Sequence, residues 1–160
     1  MPVPKPTFQG QPPEQRTYIQ SLLTKNNFNT FCVDCGKNQS THFCVTYGTF
    51  ICEPCARIHW LHFNQHKSYI KSCFNETWDK HQLKVASMFG NKSFFEFIKQ
   101  YEIQKMGIPS RYKTIAVKYY RDRLNFEILG GTNPEFARRP VPTIEQGKMS
   151  KKQQNLANAA

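Results

Sequence analysis

The sequence predicts an α+β fold: a small four-cysteine module with a short antiparallel sheet, surrounded by helices and flanked by extended N- and C-terminal arms. Three observations carry that expectation. Residues 32–60, CVDCGKNQSTHFCVTYGTFICEPCARIHW, hold four cysteines in two CxxC pairs. Between the pairs, β-branched and aromatic residues dominate and are interrupted by Gly48. Downstream, apolar residues recur at helical spacing in three separate runs.

At 160 residues the chain is long enough for one domain with a core and short for two. Residues 1–13 contain five prolines, Pro2, Pro4, Pro6, Pro12 and Pro13, and read as an extended arm. The domain proper is expected over 14–129. Within it, Tyr18, Ile19, Leu22 and Leu23 recur at helical spacing between Glu14 and Lys25, and NNFN supplies a stop. HFCVTYGTFIC reads as two short strands joined at Gly48. After Cys55, ARIHWLHFNQHKSYIKS predicts one or two helical turns, then a strand or loop around Tyr69 and Ile70. Trp78 to Phe89 is amphipathic. Phe94, Phe97, Ile98 and Tyr101 follow a helical stripe, and Tyr112, Ile115, Ala116 and Tyr119 repeat it, with MGIPS between them and Ser110 as a candidate cap. From Gly130 onward periodicity is lost while Pro, Gln, Asn and Lys accumulate, so 130–160 reads as an extended basic tail.

Lys and Arg outnumber Asp and Glu by 22 to 11, which suits an acidic partner such as nucleic acid, an anionic membrane surface or an acidic protein face. No run approaches the roughly 18 apolar residues of a transmembrane segment, and MPVPKPTFQG lacks the apolar core of a secretory signal. No organelle-targeting segment is evident.

The cysteines are spaced C-x2-C-x16-C-x2-C, from Cys32 and Cys35 to Cys52 and Cys55. Two tight knuckles of this kind bring four thiolates to the corners of a tetrahedron, which suits Zn2+. Four cysteine ligands close the site to water and substrate, so the metal builds structure. A redox pair would not need the matching second pair. Cys44 and Cys73 fall outside the spacing and are expected in the core, and His59 and His62 are expected as core or surface residues. No phosphate-cradling glycine loop, Ser-His-Asp set or paired-carboxylate site is visible.

The four-cysteine spacing, with VTYGTFIC before the second pair and then HKSYIKS, Trp78, FGN and RYKTIAVKYYRDRL, resembles the Arf-GAP zinc-finger domain. The branch acting on coatomer-coated vesicles is the most similar. The resemblance covers roughly residues 15–128 and is strengthened by Tyr112, Lys113, Thr114, Tyr119, Arg121 and Leu124, since the cysteine spacing alone is shared with GATA-type fingers. It implies a zinc module within helices that accelerates GTP hydrolysis by the small GTPase Arf. The arginine that does so in the family stands in C-x4-R after the last pair. Here that position is Trp60. Arg57 is the candidate displaced substitute. A second departure is His42, two residues ahead of Cys44, where the family usually has tryptophan.

These departures predict a catalytically silent module serving as a structural or interaction subunit of a larger assembly, contacted through both arms. Trp60 either packs inward or joins Leu61 and Phe63 in an apolar contact patch. Two alternatives stand beside this: an active GTPase activator for Arf using Arg57, and a GATA-like nucleic-acid-binding finger. Nucleic acid is the less favoured partner, although Tyr119, Tyr120 and Phe126 interleave with Lys118, Arg121 and Arg123. The basic runs ARRPVP and KMSKK read as solvated tail, or as contacts to anionic lipid or RNA. Family resemblance suggests a cytoplasmic, Golgi-associated protein; an accessory subunit of a mitochondrial complex is the main alternative.

Overall fold

The computed structural model describes residues 10–159, so most of the proline-rich arm, residues 1–9, lies outside the described residues. The end of the arm is anchored to the chain's own body: the buried Gln11 side chain donates from Nε2 to the carbonyls of Cys73, at 2.6 Å, and Glu76, at 3.0 Å.

Helix α1 (Pro13–Thr24) begins one residue earlier than expected because proline fits the first helical turn, where its missing N–H has no partner to lose. It buries Ile19, Leu22 and Leu23. NNFN does stop it, and then forms the short helix α2 (Asn27–Thr30), capped by the Asn26 side chain.

Strands β1 (His42–Cys44), β2 (Thr49–Ile51) and β3 (Ile70–Ser72) form an antiparallel sheet in the order β2-β1-β3. The predicted hairpin pairs Phe43 with Phe50, both fully buried, and Phe43 also stacks on Trp78 at 4.9 Å. Gly48 turns the hairpin at φ +66°, and a Cβ there would lie 2.7 Å from Cβ of Phe89. Only glycine satisfies both demands.

Helix α3 (Glu53–His62) starts directly at the second cysteine pair and, at ten residues, is longer than one or two turns. Helix α4 (Lys80–Met88) opens on a capping box between Asp79 and Gln82. Helix α5 (Asn91–Gln100) buries Phe94, Phe97 and Ile98 along the predicted stripe. The next stripe divides. Tyr112 does not open a helix capped by Ser110; Ser110 lies inside the short helix α6 (Ile108–Arg111), and α7 (Ile115–Ile128) starts after Thr114. Thr114 Oγ1 donates to the Arg111 carbonyl at 2.7 Å and accepts the Val117 N–H at 3.3 Å, so one hydroxyl ends α6 and caps α7.

The FGN motif locks the elements together. The Asn91 side chain accepts the Phe50 N–H at 2.7 Å and donates to the carbonyls of Phe28, Phe31 and Phe50, tying α2 and β2 to the start of α5.

The expected extended tail is instead a folded segment. It comprises α8 (Pro134–Arg138), α9 (Ile144–Lys148) and α10 (Lys151–Ala159). Phe136 stacks on Tyr119 at 5.3 Å, Arg139 pairs with Asp122 at 2.6 Å, and Tyr101 donates its hydroxyl to the Pro142 carbonyl at 2.8 Å. The Ile115 N–H reaches the Met149 carbonyl at 2.8 Å. Each short helix supplies its own side-chain cap, from Asn133, Thr143 and Ser150, which offsets the missing apolar periodicity. Among the described residues, no helix is long and apolar enough to cross a membrane.

Candidate functional site

The first knuckle is a tight turn. Gly36 N–H donates to the Cys32 carbonyl at 2.8 Å, Gly36 takes φ +67°, and the Lys37 N–H points at Cys35 Sγ from 3.4 Å. The second is the entry to α3, with Cys52 in the cap position and Cys55 in the first turn. Together they bring the sulfurs of Cys32, Cys35, Cys52 and Cys55 within 4.8 Å of one another. Cys35 and Cys52 Sγ are 3.8 Å apart. A tetrahedron with metal–sulfur bonds of about 2.3 Å has edges of about 3.8 Å, so the cluster has the size a zinc ion needs. The Cys32 thiol is held down to about 5, chiefly by the hydrogen bond from Cys55, whose own thiol is pushed up by the same contact. Asn38 Nδ2 lies 3.6 Å from Cys52 Sγ and can steady a thiolate. Cys44 and Cys73 are buried away from this cluster, as expected; burial raises the Cys44 thiol to about 11 and raises that of Cys73 too.

Neither His59 nor His62 joins the sulfurs. His59 is buried and hydrogen-bonds through Nε2 to Asp34 Oδ2 at 2.8 Å and through Nδ1 to Ser68 Oγ at 2.9 Å. A Ser-His-Asp line therefore exists that sequence inspection did not reveal. It is a structural lock. The Asp34 carboxylate also pairs with Arg111 at 3.0 Å and accepts the Tyr112 hydroxyl at 2.5 Å, and all of these side chains are buried. Arg111 spends its other donors on the carbonyls of Ile103, Gln104 and Met106. Because Asp34 sits between the cysteines of the first pair, this network fastens the metal module to α3, α6 and the segment leading into β3. The available signal was an acid inside a CxxC pair.

The outer face of α3 carries the position in question. Trp60 is 51% exposed and Leu61 79%, with Ile58 also on the surface, so Trp60 does not pack inward. Phe63 does: it packs against the core beside Tyr112 and is not part of the exposed patch. The rings of Trp60 and His42 meet edge to face at 5.7 Å, so the two positions singled out by the resemblance touch. Burial pushes the His42 imidazole below its ordinary value of 6.5, against the pull of Glu53 and Glu76, which favours the neutral ring. Arg57 is exposed and pairs with Glu53 at 2.8 Å, one turn back along α3.

Residues 16–127 match the ArfGap family, described as "Putative GTPase activating protein for Arf". The uncharacterized protein F07F6.4 of Caenorhabditis elegans is 32% identical over 98 residues, covering 61% of this chain and 18% of that protein. ADP-ribosylation factor GTPase-activating protein 3 of Bos taurus is 29% identical over 97 residues, covering 60% and 19%. The match thus spans less than a fifth of the length of these relatives. Among solved structures, a "putative GTPase activating protein for ADP ribosylation factor" from Cryptosporidium parvum superposes with a TM-score of 0.59 at 21% identity, over 72% of this chain and 92% of that one. The ArfGap domain of HIV-1 Rev binding protein does so with a TM-score of 0.51 at 16% identity, over 87% and 96%. At these identities the structures speak for the fold alone. The sequence match, however, runs from α1 to the end of α7, far beyond the cysteine spacing shared with nucleic-acid-binding fingers. On that match, the chain belongs to the ArfGap family of zinc-finger domains.

Proposed function

We propose that this chain is a catalytically silent Arf-GAP-like module that serves as a structural and interaction subunit of a larger assembly. Cys32, Cys35, Cys52 and Cys55 would hold Zn2+ in it, and the ion would cross-link the first knuckle to the start of α3. The observation that supports the reading is the exposure of Trp60, which stands where the resemblance places the family's arginine.

An arginine finger is worth on the order of 10³ to 10⁵ in rate because its guanidinium meets charge developing on the transferring phosphoryl oxygens. Indole offers one neutral donor and no positive charge. Its neighbour His42, kept toward the neutral form, does not replace that cation. What Trp60 does suit is contact: an exposed tryptophan beside Ile58 and Leu61 has the make-up of an interface anchor. In this reading α3 docks a protein partner, and an Arf-type GTPase is one such partner if its surface is still recognised.

A second reading keeps the activity and assigns it to Arg57. It is favoured by relatives named as GTPase-activating proteins and by an exposed guanidinium three residues from Trp60 on the same helix. Against it stands geometry. Three helical residues amount to about 4.5 Å along the axis, while a misplacement of about 1 Å can cost a hundredfold in rate. Single-turnover hydrolysis by GTP-loaded Arf separates the readings. Silence predicts the intrinsic rate with or without the chain; acceleration that Arg57→Ala abolishes selects the second reading.

A further inference from the structure

A cleft of about 450 Å³ opens between the end of α3, the start of α7 and the start of α10. Tyr47, Phe63 and Tyr112 contribute aromatic rings to it. Its cations are Lys67, Lys113, Lys118, Arg121, Lys151 and Lys152, joined by His62, and among the described residues no Asp or Glu lines it. Among the described residues, Arg121 alone of these six cations forms an ion pair, with Asp122 at 3.4 Å.

Chain folding, not local sequence, gathers this charge. Lys67 follows α3, Lys113 and Lys118 flank the start of α7, and Lys151 and Lys152 open α10. The last group is brought in by the bridge between Thr114 and Ser150 and by the bond from Ile115 N–H to the Met149 carbonyl at 2.8 Å. Like charges held together repel, and among the described residues no carboxylate of the cleft offsets them. A fold that closes α10 over such a cluster is relieved by an anion that enters it.

The cleft also limits what that anion is. Six cations carry more positive charge than one phosphate or carboxylate neutralises. A single strand of nucleic acid is tracked by a groove with bases stacked in succession, whereas these cations line one half-open cleft, within the range of about 300–1,000 Å³ typical of small-molecule sites. We propose that the cleft binds a compact anion carrying several phosphate groups, of the kind presented by a polyphosphorylated inositol ring, either free or as a lipid headgroup. It does not depend on GTPase activation or on the role of Trp60.

The test is calorimetric titration of the full chain with inositol hexakisphosphate and, separately, inorganic phosphate. In parallel, the chain is sedimented with phosphatidylcholine vesicles carrying a phosphoinositide bisphosphate, or phosphatidylserine at equal total charge. The expected result is saturable binding of the hexakisphosphate well above that of inorganic phosphate. Lys113→Glu with Lys151→Glu should weaken it by tenfold or more, from the loss of charge-assisted contacts. Lys25→Glu with Lys80→Glu, the same charge change outside the cleft, should leave it within about twofold, as expected for screened distant charges. Preference for phosphoinositide vesicles over phosphatidylserine assigns a lipid source; soluble binding without it assigns a free ligand. Absence of hexakisphosphate binding, equal losses in both double variants, or tighter binding of a single-stranded oligonucleotide through the same lysines overturns the proposal.

Discussion

Trp60 and His42 read as two independent departures from a family pattern, yet their rings meet edge to face at 5.7 Å. One environment therefore accounts for both. Where an aromatic ring and a cation are implied by the family, this chain places an imidazole and an indole, and burial favours the uncharged imidazole. The consequence for pH has a definite sign. A histidine depressed in the folded state stays neutral while the unfolded chain takes up its proton, so its stabilising contribution is present above pH 6.5 and is lost as pH falls below it. NMR titration of the His42 ring should give a midpoint below 6.5, and a midpoint at or above it would contradict the account. Asp34 is the other residue on which much depends. Asp34→Asn keeps the shape but leaves the buried Arg111 guanidinium without its counter-charge, a change expected to cost about 3–5 kcal/mol. Chemical denaturation in zinc-containing buffer would measure it; a loss under about 0.5 kcal/mol, the scale of an ordinary surface substitution, would show that the network is not a lock.

Helices and strands were legible where a single apolar period ran uninterrupted. The hairpin around Gly48 and the stripe of Phe94, Phe97 and Ile98 appear where the pattern puts them. Reading failed where a polar cap divided a continuous stripe, at Thr114, and where short helices stabilised by caps and a few aromatic contacts replaced periodicity, beyond Gly130. In that last region Gly147 is informative. A Cβ there would fall 2.1 Å from the Tyr101 ring, so α9 crosses the ring at a separation only glycine permits. Gly147→Ala should push α9 and α10 away from the body at a cost of about 1–3 kcal/mol, the usual penalty of overpacking. Hydrogen exchange is expected to rise in residues 143–159 with little change in the sheet. Unchanged exchange there would mean that the C-terminal helices do not rest on Tyr101.

For the molecule as a whole, the four-cysteine spacing was the strongest signal in the sequence, because two CxxC knuckles constrain three-dimensional geometry directly. Its partners were not legible: Asp34 meets Arg111 across 77 positions of sequence, and no local pattern announces such a pair. The cationic cleft was equally hidden, since its lysines converge only after α10 folds back. If zinc joins the first knuckle to the start of α3, its binding energy is folding energy. Native mass spectrometry should find one zinc per chain, and a chelator should lower the thermal midpoint markedly. A metal-free chain with an unaltered midpoint would remove the cross-link from the account.

The claim that the scaffold persists without its catalytic cation is tested most directly by single-turnover GTP hydrolysis on Arf, comparing the native chain with Trp60→Arg. The account predicts that the native chain leaves the intrinsic rate unchanged, and that any acceleration appears only with the guanidinium, toward the 10³ to 10⁵ range of an arginine finger. Acceleration of that order by the native chain would contradict it.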